Sequence, residues 1–281
     1  MTEIRRRFGL IGHPVEHSWS ARYFQEKWTA QGIDNCEYGL YDLASVGEIE
    51  ALWQKPGWAG MNVTLPYKKS ILPFLDGLSP EAEAIGAVNT VAFTPQGRIG
   101  HNTDAVGFKR SIAPFLEGHH QRALILGTGG SAAAVRHVLE NIGLDVFHAS
   151  RKPNGPKMVH YEDITAEGLK ATPLVVNCTP VGMHPKVDHL PPLSEGALGA
   201  IGPDHLVIDL VYNPVRTRLL EQASLLGART LGGLSMLKLQ AEASWDIWEA
   251  EASHIERTTA SPWPAHQPGL ACNRGRGDGD A

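Results

Sequence analysis

Gln121-Arg122-Ala123-Leu124-Ile125-Leu126-Gly127-Thr128-Gly129-Gly130-Ser131-Ala132-Ala133 is the stretch on which the fold turns. The apolar run from Gln121 to Leu126 has the length and composition of a buried strand. It stops at Gly127, and a helical pattern follows from Ser131 to Ile142. The turn between them spells G-x-G-x-x-A, with Gly127, Gly129 and Ala132 at the marked positions. Glycines allow a tight turn and close backbone approach, and a helix start presents unpaired N–H groups. In isolation such glycines make only a glycine-rich turn. Between a strand and a helix they predict a Rossmann unit that cradles a dinucleotide pyrophosphate.

The next predicted strand, Asp145 to Ser150, runs into Arg151 and Lys152. An NAD site usually carries an acid at this point, bonded to the ribose hydroxyls. Here stand Ser150, Arg151 and Lys152, while Asp145 lies at the opposite end of the strand. A guanidinium and an ammonium suit a 2′-phosphate, so NADP is expected over NAD. The competing reading makes Arg151 and Lys152 a solvated turn.

Strand and helix patterns alternate on both sides of this unit, which predicts an α/β fold with mainly parallel sheets. Upstream, strands are expected at Phe8 to Gly12, Glu37 to Leu43 and Trp58 to Thr64, and a hairpin at Ala87 to Phe93 and Arg98 to His101. Helices are expected from Ser18 or Ser20, either a candidate cap, to about Ala30, and from Val46 to Trp53. Downstream, strands are expected at Leu174 to Asn177 and Leu206 to Val211, with a helix from Arg216 to Leu226. A long amphipathic helix runs from Leu234 to about Ile255, with Trp245 and Trp248 near one side. The boundaries fall near Asp104 and near Gly232 and Gly233. After Glu256 the composition shifts to Pro, Gly, Arg and Asp, which predicts a disordered tail over residues 256–281.

Composition narrows the function. The 281 residues suit two domains, and 42% apolar with 20% charged content is ordinary for a globular chain. A net charge of −5 offers no general attraction to nucleic acid. No run approaches the ~20 apolar residues of a membrane span, and Arg5, Arg6 and Arg7 precede no signal-peptide core. The three cysteines, Cys36, Cys178 and Cys272, are scattered and odd in number, so a reducing cytoplasm is the simplest setting. The 13 histidines suggest a metal, but His13 and His17 are separated by Pro14, and His184 and His189 lie in a Pro-rich loop. No acid or cysteine completes either set, so no metal site is expected.

Three further segments place polar groups at strand ends, where open α/β sheets bind ligands. They are Gly12-His13-Pro14-Val15-Glu16-His17-Ser18-Trp19-Ser20, then Asn62-Val63-Thr64-Leu65-Pro66-Tyr67-Lys68, then Gly86-Ala87-Val88-Asn89-Thr90 with His101-Asn102-Thr103-Asp104. With the glycine turn, Asp209-Leu210-Val211-Tyr212-Asn213-Pro214 and Gly233-Leu234-Ser235-Met236-Leu237-Lys238-Leu239-Gln240, the chain resembles the shikimate dehydrogenase family from about Phe8 to Trp248. The resemblance implies a substrate domain of residues 1–104 plus 234–255, its last helix packing back on it, and a Rossmann NADP domain of residues 105–233.

It also implies roles. Ser18 and Ser20 match the serines that hold the substrate carboxylate. Thr64, Asn89, Asp104 and Gln240 match residues that bind ring hydroxyls. Lys68 matches the catalytic lysine paired with Asp104, and Tyr212 a tyrosine near the substrate. Gly127, Thr128, Gly129, Gly130, Ser131, Ala132, Ser150, Arg151, Lys152, Thr179, Val211, Gly233 and Met236 are the implied cofactor contacts. The departures are Ala21, where proline is common after the second serine; Thr128 and Ser131, where alanine is common; and Ser150, where asparagine is frequent. The implied reaction is NADPH-linked reduction of 3-dehydroshikimate to shikimate in aromatic amino-acid biosynthesis, by a cytoplasmic monomer or homodimer.

The chemistry agrees with the residue types. Hydride addition to a ketone leaves an alkoxide, which needs a cation or a proton donor, and Lys68 supplies both. Against this, Lys68 reads as a solvated helix-start lysine like Lys69, and Asp104 as a cap for a helix from about Ala105. Two other functions fit the motifs: a quinate or dual-specificity enzyme of broader cofactor use, NAD included, and a non-catalytic NADP sensor.

Overall fold

A computed structural model describes residues 5–259. Twelve strands and nine helices occur among the described residues, in two six-stranded sheets. The first sheet holds β1 (Arg6–Gly12), β2 (Cys36–Asp42), β3 (Gly60–Val63), β4 (Gly77–Leu78), β5 (Thr90–Thr94) and β6 (Gly97–His101). The second holds β7 (Arg122–Leu126), β8 (Asp145–Ser150), β9 (Met158–His160), β10 (Leu174–Asn177), β11 (Leu206–Asp209) and β12 (Arg229–Gly232). The helices are α1 (Ser20–Gln31), α2 (Ile49–Trp53), α3 (Pro80–Ile85), α4 (Thr103–Ile112), α5 (Gly130–Asn141), α6 (Ala166–Lys170), α7 (Glu195–Leu198), α8 (Arg218–Leu225) and α9 (Leu234–Thr259).

The second sheet has strand order β12-β11-β10-β7-β8-β9, and every pairing is parallel. This is the doubly wound order, with its switch point between β7 and β10. Both faces are covered. Ile125, Val176 and Ile208 pack on one side with α4 and α5, and Leu124, Val175 and Val207 on the other with α8. Double burial explains why these strands read as unbroken apolar runs rather than alternating ones.

The first sheet has order β2-β1-β3-β5-β6-β4 and is mixed. β2, β1 and β3 run parallel and β4 runs parallel to β6, while β5 is antiparallel to β3 and β6. Side chains alternate across it. Ile11, Met61 and Val91 face one core, and Phe8 and Ala92 the other.

That second core is aromatic and belongs largely to α9. Trp248 is 1% exposed and lies 4.8 Å from Phe8 and 5.5 Å from Phe24. Its Nε1 donates to the Val91 carbonyl at 3.0 Å. Its ring lies flush on Gly60, where any β-carbon would collide with the indole. Helix α9 also crosses α4 closely: a β-carbon on Gly107 would lie 2.8 Å from the Met236 carbonyl and 2.9 Å from Gln240. So the chain leaves the first sheet, builds the second, and returns through α9 to seal the first.

The structure differs from the sequence reading in several places. The sequence reading passes over α3, α6, α7, β4, β9 and β12, which are short. Ser79 caps α3, and Pro80 follows at its first position, a start signal confined to a single turn. Neither Ser18 nor Ser20 caps α1; the capping position is Trp19, without a side-chain bond, and the Ser18 hydroxyl instead accepts from the Ser20 N–H at 3.3 Å. Asn102, not Asp104, caps α4, accepting from the Ala105 N–H at 3.2 Å. Helix α9 continues to Thr259, so residues 256–259 are helical rather than tail. The remainder of the expected tail, residues 260–281, lies outside the described residues, as does Cys272.

Truncating Trp248 removes the ring that joins α9 to β1, β3 and β5. Trp248→Ala is expected to lower unfolding free energy by about 3–5 kcal/mol. Urea unfolding checks this, and a loss under about 1 kcal/mol would mean that α9 is held elsewhere.

Candidate active site

Lys68 lies in the turn that follows β3. The Tyr67 ring beside it is 6% exposed, and its hydroxyl donates to the Leu43 carbonyl, pinning the turn to the sheet. The Lys68 carbonyl accepts from the Val88 N–H at 2.8 Å. The side chain therefore leaves a fixed backbone and runs inward; Lys68 as a whole is 8% exposed. A solvated surface lysine is excluded.

The ammonium donates to Asp104 Oδ2 at 2.6 Å and to Ser131 Oγ at 3.1 Å. Asp104, 4% exposed, sits in the first turn of α4, where the helix dipole favours a carboxylate. Its other oxygen accepts from Asn89 Nδ2 at 3.1 Å. Ser131 belongs to the first turn of α5, so the pair is held between the two sheets at the mouth of the glycine turn. Such a buried pair contributes little net stability, because desolvation offsets its attraction. Its value is a fixed charge in a place with little water.

Asn89 and Gln240 are set by a shared network. Asn89 Oδ1 accepts from the Thr103 N–H at 2.6 Å, which fixes the amide orientation and turns Nδ2 toward Asp104, Thr103 Oγ1 and Gln240 Oε1. Behind it, Ser244 Oγ meets Thr90 Oγ1 at 2.7 Å, Asn62 Nδ2 at 3.0 Å and Thr103 Oγ1 at 3.1 Å. Asn62 in turn accepts from the Tyr38 hydroxyl at 2.7 Å. Burial pushes the Tyr38 phenol far above its ordinary range, against the contact with Ser20. Gln240 reaches this cluster only because Gly107 lets α9 approach α4.

The serine segment stands at the start of α1. Ser20 is buried and Ser18 half-buried. Tyr212, in the loop after β11, hydrogen-bonds to the Trp19 backbone between them; burial raises its phenol and that bond opposes the rise. Nearby, the rings of His17 and His184 meet edge to face at 5.9 Å. Thr64 is half-buried at the end of β3, its N–H bonded to the Ile11 carbonyl. Its methyl faces Gly12 too closely to admit a β-carbon there.

The glycine turn fits a pyrophosphate. Gly127 has φ +106°, a left-handed conformation that disfavours any side chain. Gly129 is the N-cap residue of α5 and supplies no side-chain cap, so the first N–H groups of the helix remain available. Space beside Gly129 is open, whereas Gly130 is packed against Lys68: an added β-carbon would lie 2.7 Å from Lys68 Cβ. Thr128 is exposed, its carbonyl accepting from Lys69 at 3.3 Å, and Ala132 is fully buried beneath the helix. At the end of β8, Ser150 accepts from the Lys152 N–H at 3.1 Å, and beyond it Arg151 and Lys152 are exposed. This too fits a group bearing a phosphate at the carboxyl end of β8.

The neighbouring strand ends carry a cluster that the motif reading missed. Asp209 is fully buried and accepts from Asn177 at 2.9 Å, from the Val211 N–H at 3.0 Å and from Thr217 at 2.6 Å. Asn177 Oδ1 accepts from both N–H and hydroxyl of Thr179. Burial raises the Asp209 carboxyl, and those hydrogen bonds pull it back. The cluster shapes the loops that carry Thr179, Val211 and Tyr212. Gly233 is pressed against the Leu210 carbonyl with no room for a side chain, and Met236 is buried over Gly107. Nothing local in the sequence joins Asn177 to Asp209; only the parallel register of β10 and β11 does. Among the described residues, no group of three or more His, Cys, Asp or Glu side chains converges as a metal site.

A doubly wound sheet whose glycine turn faces a buried ammonium–carboxylate pair defines an α/β oxidoreductase of the dinucleotide-dependent class. Residues 10–91 match the family profile described as shikimate dehydrogenase substrate binding domain. A protein named shikimate dehydrogenase (NADP(+)) from Symbiobacterium thermophilum is 35% identical over 91% of this chain and 93% of its own. One of the same name from Methanopyrus kandleri is 36% identical over 88% and 91%. The crystal structure of shikimate dehydrogenase from Aquifex aeolicus superposes with a TM-score of 0.78 at 30% identity, covering 93% of this chain and all of that one. The shikimate 5-dehydrogenase of Thermus thermophilus, in complex with NADP(H) and shikimate, gives 0.76 at 31%, covering 87% and 94%. The chain belongs to the shikimate dehydrogenase family.

Burial pushes His148, whose Nδ1 contacts the Gly127 carbonyl at 3.0 Å, below its ordinary value of 6.5, and does the same to His101. The unfolded chain then binds more protons below pH 6.5, so this stability is present above 6.5 and lost as pH falls through the folded values. The thermal midpoint is expected to fall from pH 7 to pH 5, and to fall less in His148→Gln. Equal slopes for the two proteins would show that His148 does not report folding.

Proposed function

We propose that this chain catalyses the reversible NADPH-linked reduction of 3-dehydroshikimate to shikimate, with Lys68 and Asp104 as its catalytic pair. The observation that carries the proposal is the bonded row Asn89–Asp104–Lys68–Ser131, which sets an ammonium between the polar pocket of the first sheet and the glycine turn of the second. The similar proteins named above support it. NADPH, when bound, supplies the hydride.

In this reading Ser18 and Ser20 hold the substrate carboxylate, with Tyr212 closing over them. Thr64, Asn89, Asp104 and Gln240 receive the ring hydroxyls, the last three already oriented by side-chain bonds to neighbours. Lys68 stabilises negative charge developing on the ketone oxygen and gives it a proton; in reverse it accepts the proton of the alcohol. Asp104 keeps the amine turned to that oxygen. Gly127, Thr128, Gly129, Gly130, Ser131 and Ala132 form the pyrophosphate wall with their backbone, whose N–H groups at the start of α5 carry no side-chain cap. Ser150, Arg151 and Lys152 receive the 2′-phosphate. Thr179, Val211, Gly233 and Met236 border the nicotinamide. Residues 1–104 with 234–255 act as the substrate domain and 105–233 as the cofactor domain. The proposal includes a cytoplasmic setting, in keeping with the free thiols of Cys36 and Cys178, and a monomer or homodimer. No helix among the described residues is long and apolar enough to cross a membrane.

The direct test is steady-state oxidation of shikimate and of quinate, each with NADP and with NAD. Highest kcat/KM for shikimate with NADP is expected; quinate or NAD preference would redirect the assignment. Lys68→Ala is expected to lower kcat about 1,000-fold while NADP binding is retained, and near-native turnover would remove Lys68 from the mechanism. Arg151→Asp is expected to raise KM for NADP more than about tenfold with little change for NAD; an unchanged cofactor preference would place the phosphate elsewhere.

A further inference from the structure

Two acceptors from opposite walls hold one nitrogen. Asp104 Oδ2, on α4, lies 2.6 Å from Lys68 Nζ, and Ser131 Oγ, on α5, lies 3.1 Å away. We propose that Ser131 is a positioning residue: its hydroxyl, carried by the cofactor wall, locks the Lys68 amine so that its remaining substituent faces the reacting oxygen. This rests on the proposed role of Lys68 in proton exchange.

The geometry of an amine supports it. A lysine nitrogen has four tetrahedral positions, one taken by its own stem. With Asp104 alone, the long flexible stem can pivot about the Nζ–Oδ2 bond. A second acceptor on the other side removes the pivot. One direction is then left over. It carries an N–H that donates to a ketone oxygen, or a lone pair that accepts an alcohol proton, so the same lock serves both directions.

The stem is seated as well as the head. A β-carbon at Gly130 would lie 2.7 Å from Lys68 Cβ and 3.2 Å from Lys68 Cδ, so the aliphatic chain of Lys68 lies along the first turn of α5. Gly130 is buried there, and the position next to it ends the track with a hydroxyl. That hydroxyl is not spent on capping the helix, whose N-cap is Gly129 without a side-chain bond. Ser131 thus acts on the substrate side of the cleft from the cofactor side. Parting of the two walls would release it while leaving the Lys68–Asp104 pair bonded. Its effect therefore belongs in turnover rather than in the binding of either ligand.

The experiment compares wild type, Ser131→Ala and Ser131→Thr in the full chain. It measures kcat, KM for shikimate, the NADP dissociation constant by fluorescence titration, and the thermal midpoint. Small misplacements of a reacting group are costly. Ser131→Ala is expected to lower kcat about three- to tenfold, with the shikimate KM and NADP dissociation constant within about twofold of wild type. Ser131→Thr, which restores a hydroxyl, is expected to recover most of the loss. Unchanged kcat in Ser131→Ala overturns the proposal. So does weaker NADP binding with kcat intact at saturation, which would make Ser131 a cofactor ligand only. So does a Thr variant that recovers nothing while both variants lose thermal stability, the mark of a packing role. Failure of the underlying reading looks different: wild type would not oxidise shikimate, or Lys68→Ala would remain active.

Discussion

A lysine ammonium buried against an aspartate is the interaction on which the arrangement turns. Removing a charge from water is costly, and the attraction of its partner offsets the cost only when geometry is good and other bonds are made. Here the pair is bonded at 2.6 Å, the carboxylate has a second donor in Asn89, and the ammonium a second acceptor in Ser131. Those partners come from β3's turn, the loop before β5, α4 and α5. Both sheets must be assembled before the charge is satisfied. Such a pair tolerates the loss of one member poorly, because the survivor is left buried and unpaired.

Helix α9 makes that assembly possible. It starts at the exit of the second sheet, passes α4 at Gly107, and lies on the first sheet with Trp248 against Gly60. Three features follow from this single return. The aromatic core is closed, Gln240 is brought beside Asn89, and Ser244 is buried where it ties Asn62, Thr90 and Thr103 together. A continuous set of hydrogen bonds then runs from Tyr38 through Asn62 and Ser244 to Thr103, Asn89, Asp104 and Lys68. This polar cluster is thus built on strands and helices rather than loose loops, which suits the precise positioning proposed for it.

The motifs identified most of the participants but not their contacts. The glycine turn was legible because strand, turn and helix are consecutive, and its context is local. Lys68 and Asp104 were legible only as members of segments with a resemblance; on spacing alone Lys68 read as a surface residue and Asp104 as a cap. The first reading fails for a tertiary reason, since α5 covers the lysine; the second fails for a local one, since Asn102 already fills the capping position. Ser18 and Ser20 were expected as caps because hydroxyls before a helix usually are, yet the capping position falls on Trp19 between them. The Asp209–Asn177–Thr217 cluster went unread since its members sit on different elements, joined across 32 residues and across 8.

By itself, the sequence determined the alternation of strands and helices, the place of the glycine turn, the basic residues after β8 and the apolar runs of the doubly covered sheet. Each is a local property: periodicity, backbone freedom at glycine, or the charge of adjacent side chains. Tertiary structure alone decided that α9 returns to the first sheet, that Gly107 and Gly60 serve as contact points, and that Ser131 meets Lys68 across the cleft. Those facts depend on how distant elements approach one another, and a backbone passing close to a glycine leaves no mark in the residues that flank it.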